Sequence, residues 1–251
     1  MTPYLDRVPA PTDPIRLFCF HQAGAGASTY AGWVDEPGPD IAVYPVQLPG
    51  RESRKKDSPI TDFAALIDEL DDSISPWLDV PYAFYGHSMG AAVAASLTRR
   101  QAHRDRRLPQ TLFVGAYPGD QYAPPMSVAD LTDDDVADLL VGIGGMSAVV
   151  RRYPDWTKAA VDLLRADLDA LHSRVIPAAP DPLDVPIRAY AGSDDHLVDV
   201  HDIAEWSRST TNSFELEVFP GGHFFLHDSG RALRSDISRT LHAVRDHARN
   251  T

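Results

Sequence analysis

The residues best placed to do covalent chemistry stand at Gly86-His87-Ser88-Met89-Gly90, a G-x-S-x-G pattern with an apolar run, YAFY, before it and an alanine-rich stretch, AAVAASLTRR, after it. A strand feeding straight into a helix forces a sharp, strained turn. The residues two before and two after the serine must then be small, so that neighbouring backbone can pass. Ser88 would project at the helix N-terminus, where backbone N–H groups and the positive end of the helix stabilise an anion forming on a bound carbonyl oxygen; the Met89 N–H is the first such donor.

A serine hydroxyl is a poor nucleophile at neutral pH and needs a base within hydrogen-bond reach and a carboxylate behind that base. Downstream, GSDDHLV (192–198) directly follows the strand-like PIRAYA, and GGHFFLHD (221–228) directly follows FELEVF. The order serine, acid, histidine selects Asp195 and His223. Asp194 competes with Asp195, because one residue of loop slippage exchanges them. His227, beside Asp228 at the start of a closing helix, reads as a capping or solvated residue. The other histidines are scattered, and His242 and His247 are five apart, which puts them on different helix faces. No metal site is expected.

These residues need a scaffold that holds loops at strand ends. IRLFCF (15–20), IAVYPVQL (41–48), YAFY (82–85), TLFVGA (111–116), PIRAYAG (186–192) and FELEVF (214–219) read as strands, with Pro45 suited only to an edge. Between them, DFAALIDELDDSI after a Thr61 N-cap, AAVAASLTRR, and residues 228–248 with Leu233, Ile237, Leu241 and Val244 on one side read as helices. Alternation of this kind gives an α/β fold with a mainly parallel sheet and helices on both faces. One stretch breaks the rhythm. LTDDDVADLLVGIGG and TKAAVDLLRADLDALHS lie between the proline-rich APPMS and IPAAPDPLDVP, so residues 120–182 are expected to be an inserted helical lid on a core of 1–119 and 183–251.

After the first strand, HQAGAG (21–26) invites comparison with a dinucleotide fingerprint, but Thr29 stands at the third glycine position. The better reading is that this loop brings a second backbone N–H, that of Ala23, to the oxyanion.

Composition narrows the rest. With 251 residues, 43% of them hydrophobic, one well-packed domain is expected. A formal net charge of −13 argues against a nucleic-acid partner. The one cysteine, Cys19, cannot close an internal disulfide and reads as a small buried hydrophobe in a reducing compartment. MTPYLDRVPAPTDP lacks a basic and then apolar leader, and no 18 apolar residues occur in succession, so neither a membrane span nor export is expected and the protein is placed in the cytoplasm.

The sequence resembles the type II thioesterases, stand-alone α/β-hydrolase proteins that accompany polyketide synthases and nonribosomal peptide synthetases. The likeness runs through FCFHQAGAGAS with Trp33 after it, VQLPGRESR (46–54), YGHSMGAAVA (85–94), LTDDDVADLLVGIGG, LLRADL, GSDDHLV and GGHFFL. It implies the α/β-hydrolase fold, a triad of Ser88, Asp195 and His223, no cofactor, and hydrolysis of acyl thioesters from the phosphopantetheine arm of an acyl or peptidyl carrier protein. The family's first loop usually carries a proline and then an aromatic residue or histidine; here His21-Gln22 stands there, and the Gln22 amide implies an altered acyl pocket.

On that reading the lid leaves a channel lined by residues such as Met126, Leu139, Leu140, Met146 and Val149. Simple packing of the lid against itself would use the same residues. Basic runs at Arg51–Lys56 and Arg99–Arg107 could meet an acidic carrier protein, although such runs are usually solvated faces. An esterase or lipase-like hydrolase, or an acyltransferase, would use the same three residues, and a non-catalytic binding module could keep the fold.

Overall fold

Each of the six strand-like runs is long enough for one strand, and each ends at a glycine, a proline or a polar turn. The computed structural model describes residues 2–34, 40–124, 126–176 and 180–249, with side chains through residue 245. The strands are β1 (Ile15–Phe20), β2 (Ile41–Pro45), β3 (Tyr82–His87), β4 (Leu112–Gly115), β5 (Ile187–Gly192) and β6 (Phe214–Phe219). They pair in parallel in the order β2-β1-β3-β4-β5-β6.

The helices are α1 (Ala31–Val34), α2 (Phe63–Ile74), α3 (Met89–His103), α4 (Asp133–Gly142), α5 (Pro154–His172), α6 (Val200–Ala204), α7 (Phe225–Asp228) and α8 (Gly230–Arg249). Alternation along the strands divides the core in two. Phe18, Phe20 and Phe84 pack with Leu66, Leu70 and Val93 of α2 and α3 on one face. Leu17, Cys19 and Tyr85 pack with Trp33 and with Leu233, Ile237 and Leu241 of α8 on the other. Helices on both faces of a parallel sheet are what its doubly apolar strands require. Six parallel strands with helices on both faces form the α/β architecture that the sequence pattern implies.

Three local boundaries differ from the expectation. The second strand stops at Pro45, on the sheet edge, where a residue without N–H costs no ladder bond. The N-cap of α2 is Asp62, not Thr61, its carboxylate accepting from the Ala65 N–H at 2.8 Å. The closing helix is broken: α7 ends at Asp228, Ser229 intervenes, and α8 follows.

Between β4 and β5 the chain forms α4 and α5, with an apolar cluster of their own from Val136, Leu140, Val161, Leu164 and Leu168. Thr132 starts α4 with a capping box to Asp135. Of the proline-rich flanks, Pro125 and residues 177–179 lie outside the described residues, as does the His247 side chain.

Chain order and sheet order diverge at β1. From β1 the chain moves to β2 on one side and then to β3 on the other, so the loops leaving the carboxyl ends of β1 and β3 separate and open a crevice, the place where ligands bind in such sheets. HQAGAG and GHSMG are those two loops.

Phe84 is fully buried at the centre of the sheet and makes ring contacts with Phe18, Phe20 and Tyr82. Phe84→Ala should cost about 3–5 kcal/mol in urea unfolding, whereas Val175→Ala, at a site 89% exposed, should change stability by no more than about 0.5 kcal/mol.

Candidate active site

β3 delivers the chain to Ser88, whose φ of 52° and ψ of −120° lie where a non-glycine residue is strained. The strain is held by close packing of backbone. A Cβ on Gly86 would fall 2.0 Å from the Gly90 carbonyl oxygen, and a Cβ on Gly90 would fall 2.0 Å from that of Phe20, so neither position accepts a side chain. The Ser88 N–H donates to the Gly115 carbonyl at 2.8 Å. Because α3 begins at Met89, Ser88 sits at the amino end of a fifteen-residue helix.

The loops after β5 and β6 meet backbone to backbone. A Cβ on Gly192 would fall 2.4 Å from the Gly222 oxygen, and the N–H groups of Ser193 and Asp194 donate to Phe219 (2.8 Å) and Gly221 (2.9 Å). Gly221, at φ 122°, makes the turn that this approach needs. The result is a continuous chain of hydrogen bonds: Asp195 Oδ2 lies 2.9 Å from His223 Nδ1, and His223 Nε2 lies 3.0 Å from Ser88 Oγ.

Proton positions follow from chemistry. A carboxylate only accepts, so Nδ1 of His223 carries the hydrogen; in the neutral ring Nε2 then offers its lone pair to the Ser88 hydroxyl. The other oxygen of Asp195 accepts from the N–H groups of Leu197 (2.8 Å) and Val198 (3.2 Å). Burial pushes the Asp195 pKa up, but the hydrogen bond and charge of His223 and these two amides outweigh it and leave the carboxyl below its ordinary value. Asp194 is exposed, and among the described residues its carboxylate takes only the neighbouring Ser193 hydroxyl at 2.9 Å. His227 is exposed on α7.

Two residues that the sequence reading did not single out support His223. His87, fully buried, lies with Nε2 2.8 Å from the His223 carbonyl and Nδ1 3.1 Å from the Tyr85 hydroxyl. A carbonyl cannot donate, so His87 holds its proton on Nε2 and Tyr85 donates to Nδ1. Phe224 lies edge-on to the His223 ring and stacks on His87, while Gly145, just beyond α4, has its Cβ direction 3.2 Å from the Phe224 ring. The α4–α5 segment therefore reaches over the His223 loop.

Among the described residues, neither the Met89 nor the Ala23 N–H donates to a protein acceptor. Ala23 also packs against the α4–α5 cluster, as do the partly buried Met126, Leu139 and Met146; Leu140 is buried inside that cluster and Val149 is 57% exposed. Gln22 is buried, and among the described residues its Oε1 has no hydrogen-bond partner.

The two basic runs are largely consumed within the molecule. Arg51 pairs with Asp167, Arg54 with Asp57, Arg99 with Asp120, Arg100 with Asp68, and Arg104 and Arg106 with Asp71. Among the described residues no group of acidic, histidine and cysteine side chains could hold a metal, and no helix is long and apolar enough to cross a membrane.

A thioesterase domain profile matches residues 15–243. The chain belongs to the thioesterase family. The family makes it a hydrolase. The gramicidin S biosynthesis protein GrsT of Aneurinibacillus migulanus is 31% identical over 92% of this chain and 90% of its own. Thioesterase PikA5 of Streptomyces venezuelae is 30% identical over 94% of this chain and 84% of its own. Among solved structures, the RedJ thioesterase from the prodiginine pathway of Streptomyces coelicolor superposes with a TM-score of 0.85 at 29% identity, covering 93% of this chain and 96% of that one. The type II thioesterase BorB of the borrelidin cluster gives 0.83 at 30% identity, covering 94% and 96%.

Burial, reinforced by the neighbouring His223, lowers the pKa of His87 to about 3, against a weaker opposing pull from the His223 carbonyl. Burial and the Arg51 charge likewise lower that of His21 to about 4. Both rings stay neutral in the folded chain while the unfolded chain protonates near pH 6.5, so stability should fall with acid, by about 1.4 kcal/mol per pH unit for each ring once unfolded-state protonation is complete. The His87 share of that loss runs from about pH 6.5 down toward pH 3. Urea unfolding between pH 7 and pH 5 should therefore show a smaller slope in His87→Gln than in the natural chain; equal slopes would contradict the assignment.

Proposed function

We propose that this thioesterase hydrolyses acyl thioesters carried on the phosphopantetheine arm of an acyl or peptidyl carrier protein, with Ser88 as nucleophile, His223 as base and acid, and Asp195 orienting His223. The observation that carries this reading is the unbroken hydrogen-bond chain from Asp195 through His223 to Ser88 at the strained turn.

Ser88 Oγ attacks the thioester carbonyl carbon as His223 Nε2 takes its proton. The tetrahedral oxyanion points at the free N–H groups of Met89 and Ala23, aided by the positive end of α3. The C–S bond breaks and the departing sulfur takes the proton from His223. Water then attacks the acyl-serine ester, giving a proton to His223; the ester C–O bond breaks, Ser88 Oγ recovers that proton, and the free acid leaves. Through both steps Asp195 holds the imidazole in one tautomer and stabilises its cation.

The α4–α5 segment, residues 120–182, is the lid, and the route for the arm runs beside Met126, Leu139 and Met146. Leu140 supports that route from the lid core, and Val149 lies at its outer rim. Gln22 contributes a polar group to the acyl pocket. Relatives named for gramicidin S and prodiginine biosynthesis support a place beside a nonribosomal peptide or polyketide synthase, where the reaction would clear mis-primed or decarboxylated acyl groups from stalled carriers. The proposed reaction is accordingly placed in the cytoplasm.

Ser88→Ala and His223→Ala should abolish turnover of acyl-pantetheine thioesters with folding intact, while activity equal to the natural enzyme in either would refute the roles. Asp195→Asn should lower kcat by about 10⁴-fold, and Asp194→Asn should leave it within a few-fold. A kcat/KM for matched oxygen esters far above that for the thioesters would favour an esterase instead.

A further inference from the structure

Two sequence motifs have no part in the chemistry above: VQLPGRESR, after β2, and LLRADL, in α5. Their residues Arg51 and Asp167, 116 positions apart, meet in the fold. Both are buried, with 5% and 3% exposure. The contact is a two-pronged fork: Arg51 Nη1 to Asp167 Oδ2 at 2.6 Å and Nη2 to Oδ1 at 2.7 Å. The same two side chains grip the loop after β1. Asp167 Oδ2 accepts the Gly24 N–H at 2.7 Å, and Arg51 Nη1 donates to the Ala25 carbonyl at 3.0 Å, while Arg51 Nε is anchored on the Pro49 carbonyl at 3.1 Å.

The Gly24–Ala25 peptide pair is thus bracketed, its first N–H by a carboxylate and its second carbonyl by a guanidinium. Gly24, at φ 74°, also lies under Leu164 of α5, its Cβ direction 3.6 Å from that side chain. Leu164 and Asp167 are three residues apart and so share one helix face. The lid helix therefore holds the loop by an apolar contact and a charged one. A buried ion pair of this kind does little for stability compared with well-packed apolar residues; what it fixes is geometry.

We propose that Arg51 and Asp167 are positioning residues that couple the lid to the oxyanion site: with α5 seated, they hold the Gly24–Ala25 segment so that the adjacent Ala23 N–H faces the reacting carbonyl. Without α5 in this position the Gly24 amide would have no carboxylate to hold it, and the second oxyanion donor would lose its support. This rests on the Ser88 thioesterase reading and on Ala23 as a donor.

The test uses the full chain and the variants Asp167→Asn and Arg51→Lys, which keep side-chain bulk, with melting temperature as the check on folding. A lost positioning contact should lower kcat for an acyl-pantetheine thioester by about 10²-fold with KM within about threefold. The dissociation constant of an alkylboronic acid, which forms a tetrahedral anion on Ser88, should weaken in parallel with kcat.

Hydrogen exchange reads the pair without reference to the substrate: the Gly24 amide should exchange at least about tenfold faster in Asp167→Asn, with β5 amides unchanged. A kcat and a boronate affinity within about twofold of the natural enzyme, or an unaltered Gly24 exchange rate, would overturn the proposal. If instead the natural enzyme cleaves no thioester, or Ser88→Ala remains active, the functional reading falls, and the exchange result alone decides whether the pair holds the loop.

Discussion

The structure turns on a backbone that cannot relax. Ser88 is kept at φ 52° because the chain before it is locked in the sheet and the chain after it is already helix, with Gly86 and Gly90 in the two places where any side chain would collide with backbone oxygen. The cost of that conformation is carried by surrounding packing: a fully buried β3, a small-residue α3, and the Ser88 N–H on Gly115. In return the hydroxyl stands clear of its own helix, with the Met89 amide unspent beside it. Relaxation of this turn would displace the Ser88 hydroxyl and the Met89 amide together.

Around the turn, several buried polar groups are held by fixed partners. Tyr85 donates to His87, His87 to the carbonyl of His223, and the two amides of Leu197 and Val198 to the second oxygen of Asp195. His87 is thereby kept neutral and a donor, so a group with a familiar acid–base side chain serves as a fixed strut for the loop that carries His223. The same economy holds between α5 and the loop after β1, where Arg51 and Asp167 satisfy each other and the loop between them.

What could be read from the sequence was whatever depends on near neighbours. Each strand is a short apolar run with its own stop signal, and Ser88, Asp195 and His223 each follow one directly, so type and order sufficed to pick the three residues that the fold joins. Contacts between distant segments left no such trace. Nothing in VQLPGRESR points to an aspartate in α5, and the basic runs look like exposed faces until Asp68, Asp71 and Asp120 are folded against them. His87 sits inside the motif, but its partner is a carbonyl, which any residue supplies. Small misreadings have the same source: Thr61 and Asp62 are both good caps, and packing of Phe63 against the core decides between them.

The most direct test of the central claim is titration of the full-length protein with a fluorophosphonate, following hydrolysis of an acyl-pantetheine thioester and locating the label by peptide mass spectrometry. The account predicts one phosphonyl group per chain, on Ser88, with activity falling in proportion to the labelled fraction. Undiminished hydrolysis by fully labelled protein, or inactivation with the label on another residue, would contradict it.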